Sequence, residues 1–385
     1  VVLNERARLR LTEGACLPLR SDFGQCRACE SVCPVRVIRV SAEAVALDDG
    51  CLNCGRCVAA CPTDALQLDG YAFSVPAAER TAPIEVECAK VPAAVRASDA
   101  VVIPCLGALS TGRLAQLHEA AGEHGVVLVD RGWCRGCSAG CGDGRHPAAA
   151  ALEQVVLWLE SINDPRPAPR WASRPLPQSQ MPDRIPVPPT PADQGPALTR
   201  RQFFRSVVED PVGRRRNVTP MGGSGRAAFP ASRRREAPDR RRLLDALERA
   251  ATRAGTALPD ELFPRVVNNG ACVDHRVCTA ACPTGALKVV AIDGAASLTF
   301  SAAACIGCGA CQRSCPEGAL MVDIHGGGER APAVIARHTQ QTCSSCGEVF
   351  TPRAGEALCL ACSKTQRFLG DAMAKLFGSA SEAKT

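Results

Sequence analysis

Four stretches of this chain place cysteines where one metal centre can be wrapped. Cys51, Cys54, Cys57 and Cys61 follow the spacing Cys-x2-Cys-x2-Cys-x3-Cys-Pro, ending at Pro62, and Cys305, Cys308, Cys311 and Cys315 repeat it, ending at Pro316. Two partial copies precede them, Cys26-x2-Cys29-x3-Cys33-Pro34 and Cys272-x2-His275-x2-Cys278-x3-Cys282-Pro283. Three thiolates on one tight loop can face three corners of a cubane, with Gly55, Gly307 and Gly309 easing the turns. The fourth cysteine is carried away on a short helix toward a neighbouring centre. A four-cysteine zinc site can mimic one Cys-x2-Cys pair, but not four linked runs ending in Cys-Pro.

Residues 16–70 and 272–323 each resemble a ferredoxin domain holding two [4Fe-4S] clusters. The resemblance implies a crossed ligand set. Cys33 serves the cluster of Cys51, Cys54 and Cys57, while Cys61 serves that of Cys16, Cys26 and Cys29. In the second module Cys282 serves Cys305, Cys308 and Cys311, and Cys315 serves Cys272, His275 and Cys278. Both modules depart from the pattern in their first half. Phe23 stands where a cysteine belongs, and Cys16, upstream, is read as the replacement ligand; a three-iron cluster or a free Cys16 are the alternatives. His275 stands in register for a cysteine. A neutral imidazole ligand there removes one negative charge and raises the potential; the alternative is a [3Fe-4S] cluster with His275 merely nearby.

Residues 84–160 read differently. Ile84–Cys88, Ala100–Cys105 and Val126–Asp130 look like short strands, with helical patterns at Leu114–Glu123 and Ala148–Leu159. Each strand delivers cysteine at or just past its carboxyl end: Cys88, Cys105, then Cys134-x2-Cys137-x3-Cys141. Ligands gather at the carboxyl ends of strands in an open α/β sheet, so these thiols are expected to converge on an Fe–S cluster, with a zinc site or a redox dithiol as alternatives. The order Cys105-Leu106-Gly107-Ala108-Leu109-Ser110, helix, strand and Cys-rich turn resembles the delta subunit of methyl-viologen-reducing hydrogenase, which implies a [2Fe-2S] centre. Near the end of the sequence, Cys343-x2-Cys346 and Cys359-x2-Cys362 are two knuckles suited to a tetrahedral four-sulfur site, read as a zinc ribbon rather than a rubredoxin-type iron site.

The elements that must position these ligands divide the chain into five segments. They are a ferredoxin-like module (1–82), a small α/β domain (83–163), a linker (164–242), a second ferredoxin-like module (243–330), and a zinc-ribbon-like domain with its tail (331–385). The fold class is therefore α+β, two duplicated modules flanking an α/β domain. Eleven prolines between Pro165 and Pro196 predict an extended spacer. Thirteen arginines against four acids follow between Arg200 and Arg242, and an amphipathic helix is expected over Arg241–Ala250. Another is expected over Gln366–Phe377. Thr199–Arg205 has the look of a twin-arginine export motif, but no apolar stretch follows it, and it reads as a linker helix.

Composition supports metal as the source of order. The chain has 385 residues, 24 of them cysteine, and only ten Phe, three Trp and one Tyr, too few aromatics for one large core. The tight cysteine clusters suit metal ligation rather than disulfides, which implies a reducing compartment, the cytoplasm. No apolar run is long enough for a membrane span; the best, Ala148–Leu159, is broken by Glu153 and Gln154. No secretory signal pattern opens the sequence.

The formal net charge of +6 resides in the arginine-rich run. Its phenylalanines are too scattered for a base-stacking platform, so nucleic acid is not expected as a partner. No Gly-x-Gly-x-x-Gly loop follows a strand, which leaves NAD or flavin without an anchor. The expected cofactors are four [4Fe-4S] clusters, one more Fe–S centre and one zinc ion.

The Arg200-Arg201-x-Phe203-Phe204 segment and Leu258–Pro264 are similar to polyferredoxin-like proteins that accompany bacterial molybdenum oxidoreductases such as formate dehydrogenases and periplasmic nitrate reductases. That resemblance implies an electron carrier for a redox enzyme, without a substrate site of its own. An assembly factor for such an enzyme is the second reading, and a nucleic-acid-binding Fe–S protein the third.

Overall fold

The computed structural model describes residues 8–76, 80–140, 144–186, 234, 236–292, 295–352 and 355–377. They form two compact units that both mix helix and strand. The first holds the described residues of Val1–Cys16, Arg27–Val156 and Arg166–Arg233, the second those of Leu17–Cys26, Leu157–Pro165 and Arg234–Thr385. Among the described residues, no helix is long and apolar enough to cross a membrane.

In the first unit, strand Leu9–Leu11 pairs antiparallel with Leu66–Leu68, and Ile38–Val40 forms a hairpin with Val45–Leu47. The alternation is that of half-buried strands: Leu9, Ile38, Val40, Val45, Leu66 and Leu68 are buried. Arg39 points outward and meets Asp48 at 2.6 Å. Short helices Ala28–Ser31 and Arg56–Ala59 carry Cys29 and Cys57. Three-residue strands bury too little to hold such a fold alone, so ligand binding at the cysteines must supply part of its stability.

The same unit contains a four-stranded parallel sheet in the order Val101–Ile103, Ile84–Cys88, Val126–Asp130, Arg170–Ser173. Of its inner strands, Val126–Asp130 is apolar until its last residue, as a sheet covered on both faces requires, whereas Ile84–Cys88 interleaves Glu85 and Glu87, the latter buried in an ion pair with Arg131. Helix Thr111–Ala121 starts at Ser110, whose hydroxyl accepts from the Arg113 N–H at 3.3 Å. Helix Ala149–Ile162 follows the cysteine-rich turn. The chain order reverses between Ile84–Cys88 and Val126–Asp130, so a crevice opens at their carboxyl ends, where Cys88 and the Cys134 turn lie.

The expected proline spacer is corrected in its first half. Arg170–Ser173 contains no proline and joins the sheet as its edge strand, where flanking prolines are tolerated. Trp171 stacks edge-on against His146, ring centroids 4.2 Å apart. Residues 174–186 then run back over the crevice, anchored where the Trp133 indole N–H donates to the Leu176 and Pro177 carbonyls. The α/β domain therefore extends past the expected boundary at 163. The rest of the spacer, the Thr199–Arg205 segment and most of the arginine-rich run lie outside the described residues.

The second unit repeats the element order of the cysteine-rich part of the first. Strand Arg265–Asn268 pairs antiparallel with Leu320–Asp323, and hairpin strands Leu287–Ile292 and Ala295–Phe300 lie between them in sequence. Helices Val277–Ala281 and Ala310–Ser314 carry Cys278 and Cys311. The expected boundary at 330 is also corrected. Ala333–Thr339 pairs with Ala295–Phe300 and so satisfies the backbone of a strand that would otherwise be an open edge. Helix Pro238–Ala254 contains the expected Arg241–Ala250 and starts earlier, with proline in its first turn and Gly255 closing it at φ 67°. Arg240–Arg242 are thus helical; the Arg240 guanidinium donates to the Leu262, Ala302 and Ala303 carbonyls. A two-residue hairpin, Gln341–Thr342 with Val349–Phe350, precedes helix Leu360–Phe377, whose first turns take in Cys362.

Candidate metal centres

Cys33, Cys51, Cys54 and Cys57 line one cavity of about 370 Å³, walled by Leu9, Leu52 and Leu68. The loop that brings three of them together is left-handed on both sides of Cys54, at Asn53 (φ 53°) and Gly55 (φ 75°). A Cβ on Gly55 would sit 3.0 Å from the Ala108 Cβ, so the position needs glycine both for φ and for space. Burial pushes the Cys51, Cys54 and Cys57 thiols up, and the neighbouring thiols add to it, Cys33 among them in each case. Thiolates so placed repel one another and need a bound cation to form, which is what iron supplies. The fit is to a group held by Cys33 together with the other three, as the crossing implies.

Cys16 and Cys61 pack into one small cluster with Ala15 and Ala65. The Ala65 N–H donates to the Cys61 sulfur at 3.2 Å, and the Thr63 hydroxyl donates to the Ala15 carbonyl at 2.7 Å, closing the turn that carries Cys16. Cys16 thus lies beside the thiol that the crossing pairs with it. Arg27, the counterpart of Gly55 in the run that lacks its first cysteine, has φ −128°, so the left-handed loop is not built there. Cys26 is half-buried just before helix Ala28–Ser31, and Cys29 contributes to raising the Cys57 thiol.

In the second unit, burial pushes Cys305 up to about 11 and Cys311 up to about 12, and it raises Cys308. Cys282 is a charge neighbour of all three. Cys272, His275, Cys278 and Cys315 line a cavity of about 380 Å³. Burial raises Cys272, and it pushes Cys278 up to about 11; Cys315 faces both. The His275 loop has the backbone of the intact runs: Asp274 and Arg276 are left-handed at φ 58° and 59°, where the Cys308 loop has Gly307 and Gly309 at 66° and 67°. A left-handed arginine is strained, and Asp274 holds it through an ion pair of 2.9 Å. His275 thus sits on a loop with the backbone of the intact runs and lines the same cavity as Cys272, Cys278 and Cys315, with its Nε2 3.8 Å from a Glu317 oxygen.

Four of the five central thiols converge: Cys88, Cys105, Cys134 and Cys137 line a cavity of about 470 Å³ at the crevice of the parallel sheet. Cys141 lies outside the described residues. Burial pushes Cys88 up to about 11 and Cys105 well above the ordinary thiol range. Cys54 and Cys105 belong to one apolar cluster with Ala89, Ala139 and Ile185, so this cavity and that of Cys33, Cys51, Cys54 and Cys57 share a wall. Arg56 spans the same seam, donating to the Ala139 and Gly140 carbonyls at 3.3 Å.

The sulfurs of Cys343, Cys346, Cys359 and Cys362 all lie within 4.8 Å of one another. Backbone N–H groups of Cys359 and Cys346 aimed at the Cys343 sulfur hold its thiol down to about 6. A second candidate group, Asp130, Cys134 and His146, shares a residue with the central cavity. The His146 Nδ1 accepts from the Ala148 N–H at 3.2 Å, which leaves Nε2 carrying the proton of the neutral ring, 3.4 Å from the Cys134 sulfur. In that tautomer His146 donates to the Cys134 sulfur. Sequence reasoning missed His146 and Lys90; Lys90's place two residues after Cys88 was the available signal.

Known families meet this geometry at two places. Residues 24–65 match the 4Fe-4S dicluster domain, and residues 298–320 match the 4Fe-4S binding domain. Both matches put ferredoxin-type [4Fe-4S] domains in this chain, and the matched segments contain the intact cysteine runs. No curated protein matches the chain.

Proposed function

We propose that this protein is a cytoplasmic multi-cluster electron carrier. Its two duplicated ferredoxin-like modules hold four clusters, on the crossed ligand sets with Cys16 and His275 completing the irregular ones. A fifth Fe–S centre sits at Cys88, Cys105, Cys134 and Cys137, and a zinc ion in a ribbon at Cys343, Cys346, Cys359 and Cys362. The partner is a redox enzyme, a molybdenum oxidoreductase such as formate dehydrogenase by the resemblance of the chain's layout. The clusters supply one-electron chemistry when bound; the chain's own residues hold them, exclude water and set their spacing.

One observation carries this reading over a structural role for the metals: Cys54 and Cys105, ligands of two different centres, pack in a single apolar cluster. Metals used only as staples need no shared wall, whereas electron transfer needs a short, dry gap between centres. Dithionite titration followed by electron paramagnetic resonance tests it. Reversible reduction of the centres, with magnetic interaction between neighbours, is expected; centres that cannot be reduced and reoxidised would remove the electron-carrier reading.

A further inference from the structure

The centre at Cys88, Cys105, Cys134 and Cys137 has an unusual electrostatic surround. Lys90 lines its cavity although only 4% of its surface is exposed. Its ammonium donates to the Asp183 carbonyl at 3.1 Å, a neutral partner that leaves the charge in place. Among the described residues, no carboxylate lies within ion-pair distance of it. The other cation at the cavity, Arg131, is already neutralised by the fully buried Glu87 at 2.6 Å. Among the described residues, the opposite charge at this cavity is that of the thiolates, and Lys90 favours the ionised form of Cys88. Outside the cavity lining, the His146 Nε2 lies 3.4 Å from the Cys134 sulfur, its ring held by the Ala148 N–H and the Trp171 ring.

Burying a lysine is costly unless something pairs with it, and nearly all buried lysines have such a partner. Here the partner is the charge of the centre itself. Reduction adds one negative charge to a four-thiolate centre, and a fixed cation together with a donor to a ligand sulfur stabilise that added charge. The neighbouring cavity of Cys33, Cys51, Cys54 and Cys57 has, among the described residues, no lysine in its lining, which is aliphatic apart from Asn53; Arg56 acts on Cys54 from outside that lining.

From these observations we infer that Lys90 and His146 make the central centre the electron sink of the first unit. One electron leaves the reduced cluster of Cys33, Cys51, Cys54 and Cys57, which is thereby oxidised, and crosses the Cys54–Cys105 wall to reduce the central centre. The step as written moves one electron and no proton. The cluster is itself reduced by a low-potential one-electron donor. This inference rests on the proposed presence of an Fe–S centre at the four thiols. Lys90 and His146 are positioning residues, acting through the ligands.

The test is a redox titration of the full-length protein, read by electron paramagnetic resonance, on the unaltered chain and on Lys90→Met and Lys90→Arg. The central signal is assigned by its loss in Cys105→Ser. The central centre is expected to reduce at the highest potential of the first unit's centres. Lys90→Met should weaken its hold on the electron about tenfold, a fall of about 59 mV for a one-electron couple, while the ferredoxin-type signals stay put. Lys90→Arg should restore the potential. His146→Leu, tested separately, should lower it in the same direction, and Lys90→Gln replaces Lys90→Met should that variant not load iron. A central midpoint unmoved by both Lys90→Met and His146→Leu, or one below its neighbour's in the unaltered protein, would overturn the inference and leave the proposed function standing. No signal removed by Cys105→Ser in the unaltered background would instead remove the central centre on which it rests.

Discussion

Gly55→Ala measures what the shared wall between two centres is worth. Gly55 has φ 75°, and an added Cβ would lie 3.0 Å from the Ala108 Cβ, 3.6 Å from the Pro104 Cγ and 3.8 Å from a Leu68 methyl. A left-handed alanine costs about 1–2 kcal/mol, offset by about 0.4–1 kcal/mol from the lost freedom of glycine in the unfolded chain. The contact with Ala108 adds to this, because a packed methyl on a 3-10 turn has nowhere to retreat; overpacking of this kind costs about 1–3 kcal/mol. Gly309→Ala is the matched control. Its φ is 67°, but the atom its Cβ would meet is the guanidinium end of Arg313, a flexible side chain whose displacement costs hydrogen bonds to the Phe23 and Cys308 carbonyls rather than a clash with packed methyls. The conformational cost is common to both, so their difference isolates the wall. We expect thermal loss of cluster absorbance about 3–6 °C lower for Gly55→Ala than for Gly309→Ala, and a weaker magnetic interaction between the two centres. Equal effects in the two variants would refute the shared wall.

Three further outcomes are expected. His275→Cys should lower the potential of one cluster of the second module and leave its neighbour's unchanged, since it adds one negative charge at a loop already shaped for a ligand; an unaltered redox titration would place His275 outside the ligand set. Cys16→Ser and Cys61→Ser should perturb the same signal and Cys33→Ser a different one, as checked by electron paramagnetic resonance of each variant. In the metal-free protein, Cys343 is held down from 9.0 to about 6. Its thiolate therefore contributes to order fully above about pH 9, and the contribution is lost as pH falls through about 6. Protons and zinc compete for the same sulfurs, so zinc release, followed with a chromophoric chelator, should set in as the solution is acidified through that range; release independent of pH would contradict it.

The cysteine runs were the most legible part of the chain, because their spacing is fixed by the geometry of the ligand loop. The strand Val126–Asp130 is equally plain, since a buried parallel strand leaves an apolar run, while Ile84–Cys88 is legible by its alternation of apolar residues with Glu85 and Glu87. The edge strand Arg170–Ser173 was hidden by the prolines around it, which argue against regular structure although four intervening residues suffice for an edge. The pairing of Ala333–Thr339 with Ala295–Phe300 across the expected boundary at 330 is a long-range event that local pattern does not encode. His275 can be placed by register alone, but the left-handed Asp274 and Arg276 that give its loop the backbone of the Cys308 loop are visible only in the structure. Lys90 and His146 were invisible for a related reason. A single lysine or histidine has no spacing to read, and its meaning comes from the fold that turns it toward a sulfur.

The central claim is that nearly every cysteine run of this chain holds metal. Iron, acid-labile sulfide and zinc analysis of anaerobically purified protein tests it most directly. Roughly sixteen to twenty iron, a similar amount of sulfide and about one zinc per chain are expected from four ferredoxin-type clusters, a central centre and a four-sulfur site. About eight iron or fewer, or no zinc, would contradict the account.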